Sequence, residues 1–268
     1  MSLTLGTGPF AKPLRGALNF DLGAAPKHVL YLHELDQRIR GTLGGETVVD
    51  TWRARLLHET GLLPQWYLPL ADVRPDSLVP SDTTTYCPYK GDASYYSLRV
   101  GDRLVEDAVW HYRDPLPGAP PLGDLVAFYL DRVDAWYEED ERLLGHPRDP
   151  FHRVDTRASS RHVVVQVAGQ TVADTTRPVG VFETGLPVRW YLPPDDIEEK
   201  YLEATTSESI CPYKGRADYC SVRVGGTLVE DAAWCYAEPL REAEQVENYL
   251  SFFPERVSIT VDGEPCDR

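Results

Sequence analysis

Cys87-Pro88-Tyr89-Lys90-Gly91 recurs as Cys211-Pro212-Tyr213-Lys214-Gly215, at an offset of 124 residues. The offset holds far outside the pentapeptide. Trp66 maps onto Trp190, Tyr95 onto Tyr219, Trp110 onto Trp234, Tyr112 onto Tyr236 and Phe128 onto Phe252, with no gap from about Arg40 to Asp134. From Glu59 to Leu116, 30 of 58 positions are identical, so the 268 residues hold two copies of one domain. The period far exceeds the roughly 20–50 residues of solenoid units. Each copy is long enough to bury a core of its own.

Composition narrows the function classes. A net charge of −15 with no basic run argues against nucleic acid, whose binding rests on phosphate neutralisation by Lys and Arg; the acidity suits solubility. No apolar run approaches the ~20 residues that cross a bilayer. Met1 to Phe20 lacks the charged start and apolar core of a signal peptide, so a cytoplasmic protein with no membrane partner is expected. Cys87, Cys211, Cys220, Cys235 and Cys266 include no CxxC pair. That pattern suggests reduced thiols rather than a disulfide framework or a structural zinc site. No metal and no cofactor are expected.

The organisation reads as an N-terminal arm (1–35), a first domain (36–142), a polar ordered linker (143–160) and a second domain (161–268). Each domain reads as mainly β: two tandem copies of a small antiparallel β domain with short helices, arranged with pseudo-two-fold symmetry. Gly44-Gly45 and Ala168-Gly169 fall at hairpin turns, and Arg161 to Val167 is strand-like by β-branched content. The run His28 to His33 fits a short strand docked on the first domain. Short helical segments are expected at Asp195 to Leu202 and Glu242 to Tyr249.

Strand alternation puts Tyr95, Ser97 and Arg99 on one face and Tyr96, Leu98 and Val100 on the other. The second copy keeps Tyr219, Ser221 and Arg223, while the apolar face drifts to Cys220, Val222 and Val224. A polar row held constant points to specific hydrogen bonding. Trp110, Tyr112, Glu106 and Leu104 share a face by the same alternation. Trp66, Tyr67, Tyr95, Trp110 and Tyr112, with Trp190, Tyr191, Tyr219, Trp234 and Tyr236, form either core or an aromatic-lined pocket for a planar or cationic ligand.

In the repeated pentapeptide, Pro and Gly shape a turn. Lys90 and Lys214 supply a donor or, if desolvated, a nucleophilic amine. Cys87 and Cys211 are either packing or thiol nucleophiles, the latter only beside a base that lowers the thiol pKa. His146, Arg148, Asp149 and His152 lie in the densest run of titratable groups. They read as an acid/base and anion-holding set or as a self-satisfied linker. There is no GxSxG, P-loop, GxGxxG or HExxH.

Trp-Tyr-Leu-Pro, then Cys-Pro-Tyr-Lys-Gly, then Trp-x-Tyr and Phe, resembles the domain-of-unknown-function 427 (DUF427) family in tandem form. His146-Pro147-Arg148-Asp149-Pro150-Phe151-His152-Arg153-Val154-Asp155 and Ser159-Ser160-Arg161-His162-Val163 extend the likeness. It covers both repeats. The family has also carried a nucleotidyltransferase-like label, but the Gly-Ser followed by paired metal-binding Asp of that activity is absent. The resemblance implies a β-tent, or Mss4-like, fold, similar to methionine sulfoxide reductase B and the cereblon ligand-binding domain. Such relatives often bind zinc through paired CxxC motifs, which this chain lacks, so a zinc-free tent is implied. The cereblon-type domain holds small cyclic amides in an aromatic cage. The first copy departs from the family pattern in having no His-Pro-Arg-Asp stretch of its own.

The expectation is a small-molecule site for a planar or polar metabolite, in a binding protein or an enzyme, lined by the shared Lys, Tyr and Trp residues. The alternatives are a non-catalytic protein-interaction scaffold and a thiol or redox enzyme using Cys87 or Cys211.

Overall fold

The alternating and β-branched runs form antiparallel strands. A computed structural model of the chain describes residues 26–266; residues 1–25 of the expected arm lie outside that range. The chain divides at Asp149 and Pro150 into two units.

The first unit contains β1 (Leu30–Glu34), β2 (Ile39–Leu43), β3 (Glu46–Thr51), β4 (Arg55–Glu59), β5 (Gln65–Pro69), β6 (Leu78–Cys87), β7 (Gly91–Val100), β8 (Arg103–His111), β9 (Leu125–Phe128), β10 (Ala135–Glu138) and β11 (Glu141–Arg142). They make a seven-stranded sheet in the order β1-β4-β5-β9-β8-β7-β6 and a four-stranded sheet in the order β11-β10-β2-β3.

The second unit contains β12 (Val154–Ala158), β13 (Val163–Val167), β14 (Gln170–Thr175), β15 (Val179–Glu183), β16 (Arg189–Leu192), β17 (Leu202–Cys211), β18 (Gly215–Val224), β19 (Thr227–Cys235), β20 (Leu250–Phe252), β21 (Ser258–Val261) and β22 (Glu264–Pro265). It repeats the arrangement with sheets β12-β15-β16-β20-β19-β18-β17 and β14-β13-β21-β22. Among the described residues, no helix is long and apolar enough to cross a membrane, which leaves β-barrels unaddressed.

The expected arm and linker each donate a strand. The run from His28 becomes β1, which pairs with β4 from Leu30↔Glu59 to Glu34↔Arg55. Val154–Ala158 of the expected linker pairs with β15 in the same way. An edge strand of each large sheet thus lies before the expected boundaries at 35 and 160. The expected short helices are 3₁₀ segments, of three residues at Pro194–Asp196 and Glu199–Tyr201 and of six at Arg241–Val246.

The large sheet buries both faces. In the first unit Leu56, Trp66, Leu68, Leu98, Val109, Val126 and Phe128 pack with Ile39, Leu43, Val48 and Trp136 of the small sheet. Their strand neighbours Leu57, Tyr67, Ala93, Tyr95, Leu125 and Ala127 form a second cluster with Tyr112 and Leu122 on the opposite face. Antiparallel sheets commonly leave one face to water; here the segment between β8 and β9 covers part of it, with Leu122 fully buried. The second unit repeats both clusters.

Strand β8 carries a β-bulge that changes its phase. Asp107 has φ 49° and its counterpart Asp231 has φ 44°, left-handed conformations that Asp tolerates better than most residues. The register accordingly slips between Tyr96 and Leu98. The Asp107 N–H donates to Ser97 Oγ at 3.1 Å, and the Asp231 N–H to Ser221 Oγ at 3.1 Å. The invariant serines thus satisfy a donor that the bulge removes from the ladder. Leu104 and Glu106, which lie before the bulge, are exposed and do not share the setting of Trp110. Ser97→Ala is expected to lower the unfolding free energy by about 1 kcal/mol, read from the midpoint of a denaturant melt of the full chain.

Candidate functional site

Lys90 is the residue that the repeated pentapeptide positions. Cys87 pairs with Gly91 across the β6–β7 hairpin, and Pro88-Tyr89-Lys90 forms the connection. Gly91 has φ 103° and Gly215 φ 102°, which only glycine adopts without strain. The Lys90 N–H donates to Cys87 O at 3.3 Å, and Lys90 O accepts from Leu116 N at 3.0 Å. The backbone on both sides of the lysine is thereby fixed, and its side chain turns onto the second face of the large sheet.

There Lys90 Nζ donates to Glu59 Oε2, with both side chains only 8% exposed. Glu59 ends β4, and its Oε1 accepts from His28 Nε2 at 3.0 Å. His28 lies flat on Tyr89, ring centroids 3.6 Å apart and 9° from parallel. The second unit repeats the set. Lys214 Nζ donates to Glu183 Oε2, His152 Nε2 donates to Glu183 Oε1 at 2.9 Å, and His152 packs on Tyr213 at 4.4 Å. In both copies the histidine, glutamate and lysine stand 31 residues apart in sequence.

Aromatic rings wall the space above the lysine. In the first unit a cavity of about 260 Å³ is lined by Leu57, Glu59, Leu62, Leu63, Gln65, Tyr67, Lys90, Tyr95, Trp110, Tyr112 and Tyr129. Tyr67 meets Trp110 edge-on at 6.5 Å, and Tyr129 leans over Trp110 at 4.8 Å. Lys90 Nζ stands 5.8 Å from the Tyr112 ring centroid. Tyr95 Oη hydrogen-bonds Thr85 Oγ1 at 3.0 Å, as Tyr219 Oη does Ser209 Oγ at 2.8 Å. Trp234 Nε1–H donates to Tyr191 Oη at 2.8 Å. Burial holds the Tyr67, Tyr112, Tyr191 and Tyr236 hydroxyls well above the usual phenol range, so they stay protonated.

Residues 31–139 and 155–263 each match the family described as a domain of unknown function, DUF427. The chain belongs to the DUF427 family. No curated protein matches it. Each matched segment carries one Glu-Lys pair, Glu59 with Lys90 or Glu183 with Lys214, and the histidines that join them, His28 and His152, lie just upstream of the matched residues.

Of the expected site residues, Lys90, Tyr95, Trp110 and Tyr112 come together in the first DUF427 domain. Lys214, Tyr219, Trp234 and Tyr236 occupy the matching places in the second, with His152. Trp66 and Trp190 do not join them: strand parity turns both toward the packing between the sheets, where Trp66 meets Trp136 at 5.6 Å. Tyr67 and Tyr191, one residue later, face the site instead.

Arg99 is exposed at the sheet surface. Arg223 is held by Glu203, with Nη2 donating to Oε2 at 3.0 Å. His146, Arg148 and Asp149 are not among the lining residues. His146 Nδ1 donates to the Pro147 carbonyl at 2.8 Å. Asp149 lies 3.8 Å from His58 Nδ1, a buried imidazole that desolvation keeps below the usual histidine range despite that carboxylate. Arg148 sits near Glu138, whose carboxyl burial pushes up and Arg148 pulls part-way back. Cys87 is half-buried against the aromatic cluster and Cys211 is half-buried at the equivalent point.

The first copy does have the histidine of the upstream segment, because His28 meets Glu59 as His152 meets Glu183. The sequence reading also passed over Glu59 and Glu183. Their signal was available: Glu59 opens the run of identities and shares the parity of Leu57.

Breaking a buried ion pair leaves an uncompensated charge, at about 3–5 kcal/mol. Glu59→Gln and Lys90→Met are each expected to destabilise the full chain by that order, and Glu59→Gln with Lys90→Met by clearly less than their sum; denaturant melts check this. Burial alone would raise Glu183, but the hydrogen bond from His152 and the Lys214 ammonium outweigh it and hold the carboxyl below the usual range. A carboxylate depressed in the folded state stabilises above its unfolded value, about pH 4.3, and loses that contribution as pH falls through its folded value. The stability gap between wild type and Glu183→Gln is therefore expected to be full at pH 6–7 and to narrow below about pH 4, as melts across that range will record.

Proposed function

We propose that the DUF427 domains of this chain bind a small planar molecule that presents a hydrogen-bond acceptor to the buried lysine. The observation that carries the reading is the Lys90 ammonium, 8% exposed, at an aromatic-lined cavity. Lysine is among the residues least often buried. Replacing a buried ion pair by apolar residues is often neutral or stabilising, so a packed core alone gives no reason to keep the pair twice. The cavity of about 260 Å³ falls just below the roughly 300–1,000 Å³ of drug-sized sites, which suits a ligand of about one ring.

A cationic ligand fits poorly. The cation position beside Tyr112 is already taken by Lys90, and a second positive charge would meet it in a desolvated site. An amide or carboxylate oxygen instead complements the ammonium donors that Glu59 leaves available, since a lysine carries three. None of the five cysteines, all among the described residues, forms a disulfide, which supports a reducing, cytoplasmic setting.

The test is a thermal-shift titration with benzamide, benzoate and phenylacetamide. Wild type is compared with a quadruple variant, Glu59→Gln, Lys90→Met, Glu183→Gln and Lys214→Met, which removes each pair as a unit. Wild type is expected to gain several degrees at saturating ligand, and the variant none. Equal shifts in the two proteins, or none with any ring, would overturn the reading.

A further inference from the structure

The His-Glu-Lys sets of the two units are alike, and two of the residues around them differ. His28, Glu59 and Lys90 recur as His152, Glu183 and Lys214. Gln65 and Tyr129, which line the cavity of the first unit, are replaced by Arg189 and Phe253 in the second. Gln65 is turned into the backbone, its Nε2 donating to Trp66 O at 3.3 Å and Phe128 O at 3.2 Å. Arg189 instead holds its guanidinium 5.9 Å from the centroid of the Trp234 ring. Phe253 lies 4.3 Å from Trp234 and nearly parallel to Tyr219 at 6.3 Å. The neighbouring arginines do not distinguish the copies, because Arg132 and Arg256 sit alike over Tyr129 and Phe253 at 4.7 and 4.9 Å.

We propose that the second site selects an anionic ring, an aromatic carboxylate, whereas the first takes a neutral one, and that Arg189 sets the difference. The proposal rests on the small-molecule reading given above. The lysine is balanced by a buried glutamate in both copies, Lys90 by Glu59 and Lys214 by Glu183, so the shared set adds no net preference. Arg189 is balanced by Glu255 through Nη2 to Oε1 at 3.2 Å, with Glu255 43% exposed. A pair that open to water is weak, and a ligand carboxylate can replace Glu255 on the guanidinium fork, which binds carboxylates in bidentate fashion. The bare phenyl of Phe253 adds a stacking surface without the hydroxyl that Tyr129 offers a neutral ligand.

The experiment follows the indole N–H signals of Trp110 and Trp234 by NMR in the full chain, assigned with Trp110→Phe and Trp234→Phe, during titration with benzoate and benzamide. Benzoate is expected to move Trp234 at lower concentration than Trp110. Arg189→Gln, which installs the residue present at Gln65, is expected to reduce the benzoate-to-benzamide preference at Trp234 by about tenfold, the scale of one charge-assisted contact. Gln65→Arg is expected to raise that preference at Trp110. Ring binding at both tryptophans with the same preference, or a preference that Arg189→Gln leaves in place, overturns the selectivity while sparing the common binding function. Silence of both indoles toward both probes overturns the binding function, and the selectivity with it.

Discussion

Successive residues of a β-strand face opposite sides of its sheet, and in this protein neither side of the seven-stranded sheet is left entirely to water. Each central strand therefore carries two apolar sets with different duties. One set, with Trp66, Leu68 and Phe128, fills the space against the four-stranded sheet. The other, with Tyr67, Tyr95 and Tyr112, builds the aromatic wall. A slip of one residue would exchange the sets and remove both the core and the site. The requirement to pack on one face is what holds the rings of the other in place.

The same constraint explains what could be read from the residues. The repeat fixed two domains because an ungapped offset leaves no other interpretation, and the alternation of Tyr95 to Val100 separated wall from core correctly. Alternation does not say which face is which when both are apolar, so Trp66 was grouped with Tyr95 although it belongs to the other side. The bulge at Asp107 shifted the phase of β8, and only the left-handed backbone at that residue reveals why Leu104 and Glu106 part company with Trp110. Glu59 was harder to see. Its partners lie 31 residues before and after it, and a pairing of that reach leaves no mark in a local pattern. His28 was masked by the dissimilar residues around it, although it matches His152.

The pentapeptide now has a physical description. Proline and glycine form a connection whose purpose is the placement of the residue between them, and the left-handed glycine lets the chain re-enter the sheet immediately after the lysine. Tyr89 shields the histidine that completes the coordination of Glu59. The cysteine closes the hairpin ladder against the glycine. A buried pair of this kind adds little to stability relative to apolar packing, but it fixes one donor direction inside a low-dielectric wall, where each hydrogen bond counts for more. The His-Glu-Lys set is the same in both copies, whereas Gln65 and Tyr129 of the first give way to Arg189 and Phe253 in the second.

The lysine is carried by the turn of a hairpin whose outer strand, β6, is the last in its sheet and largely exposed. Local openings of a native protein cost anywhere from almost nothing to the full unfolding free energy, and edge elements lie toward the low end. Fraying of β6 would release the Cys87–Gly91 closure and draw the ammonium away from Glu59 while the cores stayed intact. Such fraying is an equilibrium that hydrogen exchange registers and global melting does not.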